Sequence, residues 1–133
     1  MKDCIFCRIA GGEIPAYKLY EDGDFMAFLD IRPLTVGNTL VIPKKHYRWV
    51  IDVPEFGRYF EVAKLMGERA IKSLGAEWVS FLTLGFEVPH AHIRVIPRYK
   101  KDLHGTVVDI EKFEKLSESR MQEIASKLRE EGS

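Results

Sequence analysis

Neither sign of charge is in surplus: Lys+Arg and Asp+Glu number 20 each over 133 residues. That balance removes the basic excess that marks a nucleic-acid-binding chain. Long apolar runs are missing too. None approaches the roughly 20 residues that a membrane span requires, and the N-terminus lacks the apolar stretch of a secretory signal. The expectation is a soluble, cytoplasmic protein with neither nucleic acid nor membrane as partner. Cysteine is scarce, with Cys4 and Cys7 forming a single Cys-x-x-Cys. Inside a cell that spacing points to metal or redox chemistry more than to a structural disulfide. Internal repeats and low-complexity linkers are absent. The chain reads as one domain over 1–133, long enough to bury a core without staples.

What is present is a sequence of short strands around one long helix. Cys4 to Ala10 reads as a short helix stopped by Gly11-Gly12. Strands are expected at Tyr17–Tyr20, Phe25–Leu29 and Asn38–Ile42, with Asp22-Gly23 as the turn between the first two. Asp52 is placed as an N-cap with Pro54 just inside the helix. Phe56, Phe60, Ala63, Met66, Ala70 and Leu74 then recur at helical spacing up to Gly75. Trp78–Leu84 reads as a strand. A last helix beginning near Ser117–Arg120 carries Met121, Ile124 and Leu128 on one face. The fold class is α+β, an antiparallel sheet with a long helix packed on it, a short N-terminal helix and a C-terminal helix.

The densest chemistry lies between Pro89 and Pro97. In His90-Ala91-His92-Ile93-Arg94-Val95-Ile96, polar and apolar side chains alternate as on a half-buried strand. Ala91, Ile93 and Val95 are expected to face the core, and His90, His92 and Arg94 the other side. Side chains two apart on a strand stand roughly 7 Å apart, close enough to share one substrate. A strand with an incidentally polar outer face is the plainer reading. Cys4 and Cys7 can both reach one tetrahedral zinc ion, with two further ligands drawn from His46, His90, His92 and His104. Buried free thiols that pack as small hydrophobes, or a redox pair, are the alternatives.

Three ordered blocks are similar to the histidine-triad (HIT) superfamily. They are Cys4-Ile5-Phe6-Cys7-Arg8-Ile9 with Glu13-Ile14-Pro15-Ala16, then Phe28-Leu29-Asp30-Ile31-Arg32-Pro33 with Gly37-Asn38-Thr39-Leu40-Val41-Ile42-Pro43-Lys44-Lys45-His46, and last the His90 strand. The last resembles His-φ-His-φ-His-φ-φ, where φ is apolar, with Arg94 in the third histidine's place. The resemblance implies a structural zinc at Cys4, Cys7, His46 and His90. It implies that His92 is a nucleophile that attacks the phosphorus next to a nucleoside and forms a nucleotidyl-histidine. It places a purine nucleotide against Ile5, Phe6, Phe28, Asp30 and Ile31, where Asp30 can accept both ribose hydroxyls. It also implies a homodimer built through the long helix and an edge strand, with Phe56, Tyr59 and Phe60 suited to an interface as well as a core.

Departures from the pattern concentrate near His92. Arg94 keeps its proton and so cannot act as acid or base, although it can clamp a phosphate by paired hydrogen bonds and is assigned with His92 to catalysis. One branch of the superfamily carries Gln there. The loop before the strand, Leu82-Thr83-Leu84-Gly85-Phe86-Glu87-Val88-Pro89, is short and apolar, and Glu87 would repel phosphate. Asn38 stands where relatives often have histidine. Three functions remain open: a nucleotide hydrolase or nucleotidyltransferase, a nucleotide-binding module with weakened chemistry, and a redox or zinc-handling protein.

Overall fold

A computed structural model describes residues 3–130. The first helix, α1 (Ile5–Ala10), is capped by Cys4, whose sulfur accepts the Cys7 N–H at 3.3 Å, and it ends at Gly11. The chain then builds β1 (Lys18–Glu21), β2 (Phe25–Leu29) and β3 (Thr39–Pro43). In the β1–β2 turn the Asp22 carboxylate accepts the N–H groups of Asp24 and Phe25 at 2.7 and 2.8 Å. Such side-chain-to-backbone closure is the reason Asp suits this position. A long helix, α2 (Phe56–Leu74), follows, then β4 (Trp78–Leu82), β5 (Ile93–Arg98) and α3 (Glu118–Glu130). The five strands are ordered β1-β2-β3-β5-β4, and every neighbouring pair is antiparallel. The α+β expectation is met.

Both faces of the central strands are covered. Ala27, Leu29 and Val41 pack with Ile93, Val95 and the buried faces of α2 and α3. Met26, Phe28, Leu40 and Ile42 pack on the opposite face with Cys4 and Phe6 at α1. Every residue of β2 and β3 is consequently buried, so these strands read as continuous apolar runs instead of alternating ones. The thin cover of α1 over one face leaves room beside it for the site.

Several boundaries differ from the sequence reading. Asp52 lies in a one-turn 3₁₀ segment, Val50–Asp52, and does not cap α2. The helix opens instead after Glu55, which holds a left-handed φ of 53° and makes no side-chain cap. Tyr59, not Phe56, is the aromatic of the buried face. It stacks on Phe25 at 5.2 Å and donates its hydroxyl to the Val41 carbonyl at 3.0 Å, while Phe56 is 45% exposed and meets Phe60. Gly75 ends α2 in the left-handed conformation, as expected. The sheet part of the histidine segment begins only at Ile93, because the Ala91 N–H is taken by the Tyr47 carbonyl at 2.7 Å, outside the ladder. The facing pattern still holds, with Ala91, Ile93 and Val95 in the α2 core. In α3, Met121, Ile124 and Leu128 are buried as predicted, and Ser117 caps the helix through Arg120 N–H at 3.0 Å.

Candidate functional site

Two adjoining clusters occupy the α1 face of the sheet. In the first, the ligand atoms of Cys4, Cys7, His46 and His90 all lie within 4.8 Å of one another. Cys4 Sγ is 3.2 Å from His90 Nδ1, and Cys7 Sγ is 3.2 Å from His46 Nδ1 and 3.4 Å from His90 Nδ1. Helix α1 supplies this convergence, since its cap and its first turn carry the two sulfurs side by side. His90 Nε2–H donates to the Pro43 carbonyl at 2.8 Å, which leaves Nδ1 as the acceptor nitrogen facing the sulfurs. A backbone acceptor behind a histidine is the usual means of orienting a metal ligand. Burial pushes the His90 imidazole down to about 4, so it stays neutral with its lone pair available. Burial and the Cys4 thiol push Cys7 up to about 11, so that a cation is what would favour two thiolates here. A donor set of two sulfurs and two imidazole nitrogens at these separations fits one tetrahedral ion, with typical ligand bonds of about 2.0–2.3 Å. His104 is not part of the cluster. Its Nε2–H donates to Leu34 O at 2.8 Å and its Nδ1 accepts the Asp109 N–H at 3.0 Å.

The second cluster is a pair of adjoining cavities with four lining residues in common. The inner cavity, about 240 Å³, is lined by Ile5, Phe6, Ile9, Pro15, Ala16, Phe28, Leu29, Asp30, Ile31, Leu40, Val88, His92 and Arg94. All five residues that the sequence reading assigned to a nucleotide line it, together with both assigned to catalysis. Phe6 and Phe28 meet edge to face at 5.7 Å and are also core, being 7% and 3% exposed. Ile5 and Ile31 are 46% and 77% exposed, so core packing does not explain them. The outer cavity, about 590 Å³, is lined by Asp30, Arg32, Leu34, Leu84, Glu87, Val88, His92, Arg94, Ile110, Glu111 and Phe113. Asp30, Val88, His92 and Arg94 thus line both.

His92 is 3% exposed and held on two sides. Its Nδ1–H donates to the His90 carbonyl at 2.9 Å, and the Phe6 ring meets it edge-on at 5.2 Å. With Nδ1 so occupied, Nε2 carries the lone pair. Burial is the main cause that lowers the His92 imidazole below the usual histidine range, and Arg94 adds to it. Arg94 is half-buried in β5, opposite Leu40 and Leu82, and its buried Nε has no hydrogen-bond partner. Asp30 also serves the backbone, because Oδ1 accepts the Arg32 N–H at 2.9 Å. Burial raises its carboxyl, while that hydrogen bond and the charges of Arg94 and Arg32 pull the other way.

Asn38 has a structural use that the sequence did not disclose. It is fully buried, its Oδ1 accepts the Leu34 N–H at 2.9 Å, and its Nδ2 donates to the Val95 carbonyl at 3.2 Å. It therefore ties the Asp30 loop to β5. The wall formed by Ile110, Glu111 and Phe113 was also missed, since residues 105–116 carry no periodic pattern.

The sequence profile of the HIT domain matches residues 11–101. Among curated proteins, an uncharacterized HIT-like protein of Borreliella burgdorferi is 41% identical over 88% of this chain and 95% of its own length. An adenylylsulfatase of Arabidopsis thaliana is 35% identical over 75% of this chain and 54% of its own. An adenosine 5'-monophosphoramidase of Saccharomyces cerevisiae is 34% identical over 79% and 68%. Among solved structures, a zinc-bound histidine-triad family protein of Mycobacterium smegmatis superposes with a TM-score of 0.79 at 32% identity, covering 96% of this chain and 91% of that one. Among the described residues, no helix is long and apolar enough to cross a membrane.

Proposed function

Because the chain belongs to the HIT domain family, we propose that it binds a purine nucleotide derivative and hydrolyses or transfers its nucleoside monophosphate group through His92. The observation that carries this reading is the orientation of His92: Nδ1 is engaged by the His90 carbonyl, and the residue lines both cavities. The base and ribose occupy the inner cavity, against Ile5, Phe6, Phe28 and Ile31, with Asp30 accepting from the ribose hydroxyls. Its second carboxylate oxygen makes that possible while the first holds the loop. Arg94 clamps the phosphoryl oxygens, which would satisfy its unpartnered Nε–H. His92 Nε2 attacks phosphorus, and the bond to the leaving group breaks with its electron pair going to that group. Water then attacks phosphorus and returns the Nε2 pair to the histidine. Its oxygen stays on the monophosphate and one of its protons goes to the leaving group. The relatives named for phosphoramidate and adenylyl sulfate hydrolysis support a P–N or P–O leaving group of this class.

Zinc is the ion proposed for Cys4, Cys7, His46 and His90, in a structural role. Four protein ligands close the coordination sphere, so the ion supplies rigidity by tying α1 to the sheet and no reactive water. The zinc-bound relative supports this choice. A homodimer and a cytoplasmic setting complete the proposal. The test is turnover of adenosine 5'-phosphoramidate. The protein should release adenosine monophosphate, and His92→Ala should abolish release while keeping nucleotide affinity within a fewfold. Equal turnover by His92→Ala would overturn the assignment. Nucleotide binding without turnover in the parent protein would support the weakened module instead, a reading favoured by the carboxylate of Glu87 beside His92.

A further inference from the structure

The outer cavity shares Asp30, Val88, His92 and Arg94 with the cavity assigned to the nucleoside, so it is open to a leaving group on a phosphorus held at His92 and Arg94. With Asp30 assigned to ribose and Arg94 to phosphate, the charges that remain on its wall are Arg32, Glu87 and Glu111. Arg32 is already engaged, its guanidinium lying 4.4 Å over the Phe113 ring. Among the described residues, neither Glu87 nor Glu111 has a salt-bridge partner, so this part of the lining carries two exposed carboxylates against the one guanidinium of Arg32. They come from two different segments. Glu87 is on the short loop before His90, and Glu111 lies beyond the residues 11–101 that match the family profile.

The second segment is fastened, not loose. The Glu114 N–H donates to the Pro33 carbonyl at 2.7 Å, His104 Nε2–H donates to the Leu34 carbonyl at 2.8 Å, and Phe113 lies under Arg32. All three ties run to the loop that follows Asp30. The backbone that carries Glu111 is therefore anchored to the same loop that carries Asp30, the proposed ribose ligand.

We propose that Glu87 and Glu111 are specificity-determining residues for the leaving group, favouring one that carries positive charge and rejecting anionic ones. This inference rests on the His92 reading above. For a phosphoramidate, the P–N bond breaks, the amine leaves with the electron pair, and water supplies its proton and the new oxygen on phosphorus. A second cationic centre on that amine meets the two carboxylates, whereas a phosphate chain or a carboxylate there is repelled.

The experiment uses three adenosine 5'-phosphoramidates of equal length whose amine tails end in ammonium, methyl or carboxylate. Ratios of kcat/KM are compared between the parent and the Glu87→Gln/Glu111→Gln double variant. The parent should prefer ammonium over carboxylate by roughly tenfold or more, and 0.5 M salt should shrink that ratio. The double variant should lose most of it. An unchanged charge ranking in the double variant, or no ranking in the parent, overturns the proposal. If none of the compounds is turned over, the His92 reading fails on its own. Equilibrium binding of the same three compounds then decides charge selection by the same criterion.

Discussion

At Arg94 a guanidinium follows two residues after the proposed nucleophile, where it can hold a charge but cannot move a proton. Its buried Nε has no partner, an arrangement that costs free energy unless a ligand supplies an acceptor. Arg94→Ala should therefore weaken adenosine monophosphate binding by about 1.5–3 kcal/mol, the range for hydrogen bonds to charged groups. Calorimetry checks this, and an unchanged Kd would reassign Arg94 to a half-buried strand side chain without a ligand. Arg94→His restores an imidazole that can titrate near neutrality and should raise phosphoramidate turnover. At this scale the sequence was legible wherever a residue acts with its near neighbours in the chain. Alternation placed His92 and Arg94 on one side of the segment and Ala91, Ile93 and Val95 on the other. Asn38 and His104 were not legible, because each is satisfied by partners that only folding brings near, Val95 and Leu34. Asp30 was half legible. Its place in the cavity was expected, and its turn-closing bond to Arg32 was not.

Among the elements, β5 and the segment that follows it do the most to shape the outer wall. Arg98, at the end of β5, is 2% exposed and pairs with Asp102 at 2.8 Å, and its guanidinium also donates to the Gly105 and Thr106 carbonyls. Asp102 in turn accepts the N–H groups of Tyr99 and His104 at 3.0 Å each. This network starts the path that leads to Glu111 and Phe113. Burial alone would raise the Asp102 carboxyl, but Arg98 and the two N–H donors outweigh it and hold it at about 2. Because the folded value is depressed, this stability is present above the usual carboxylate range, near 4, and is lost as pH falls through about 2. Asp102→Ala should cost about 3–5 kcal/mol at pH 7, as expected when one partner of a buried pair is removed. The gap to the parent should narrow as acid protonates Asp102. A gap that stays constant from pH 7 to pH 2 would show that the network does not act through charge. The helices were legible from their spacing, but the start of α2 was not. Asp52 and Pro54 carry every local sign of a helix entry, yet Val50–Asp52 takes up a 3₁₀ turn and Glu55 absorbs the left-handed residue.

For the whole molecule, the two faces of the sheet divide the work. The α2–α3 face holds the larger core, and the α1 face holds both the Cys4, Cys7, His46 and His90 cluster and the cavities. A structural zinc would couple the two, since Phe6 lies between the cluster and His92, touching His90 at 5.8 Å and His92 at 5.2 Å. Protein purified without added zinc should contain about one zinc per chain. Cys7→Ser should lower both the zinc content and the melting temperature. Metal-free protein of equal heat stability would remove zinc from the account. At the sheet's edge, β4 exposes Trp78 and Phe81 to 45% and 48%, a surface suited to a second copy of the chain. Light scattering at micromolar concentration should give the dimer mass, and a monomer mass would exclude that pairing. Every step proposed for this site depends on His92 forming a bond to phosphorus. Intact-protein mass spectrometry after rapid acid quench of a reaction with adenosine 5'-phosphoramidate measures this directly. The expected result is an added adenylyl mass that peptide mapping assigns to His92 and that His92→Ala lacks. An unmodified mass throughout turnover, or an adduct on another residue, would contradict it.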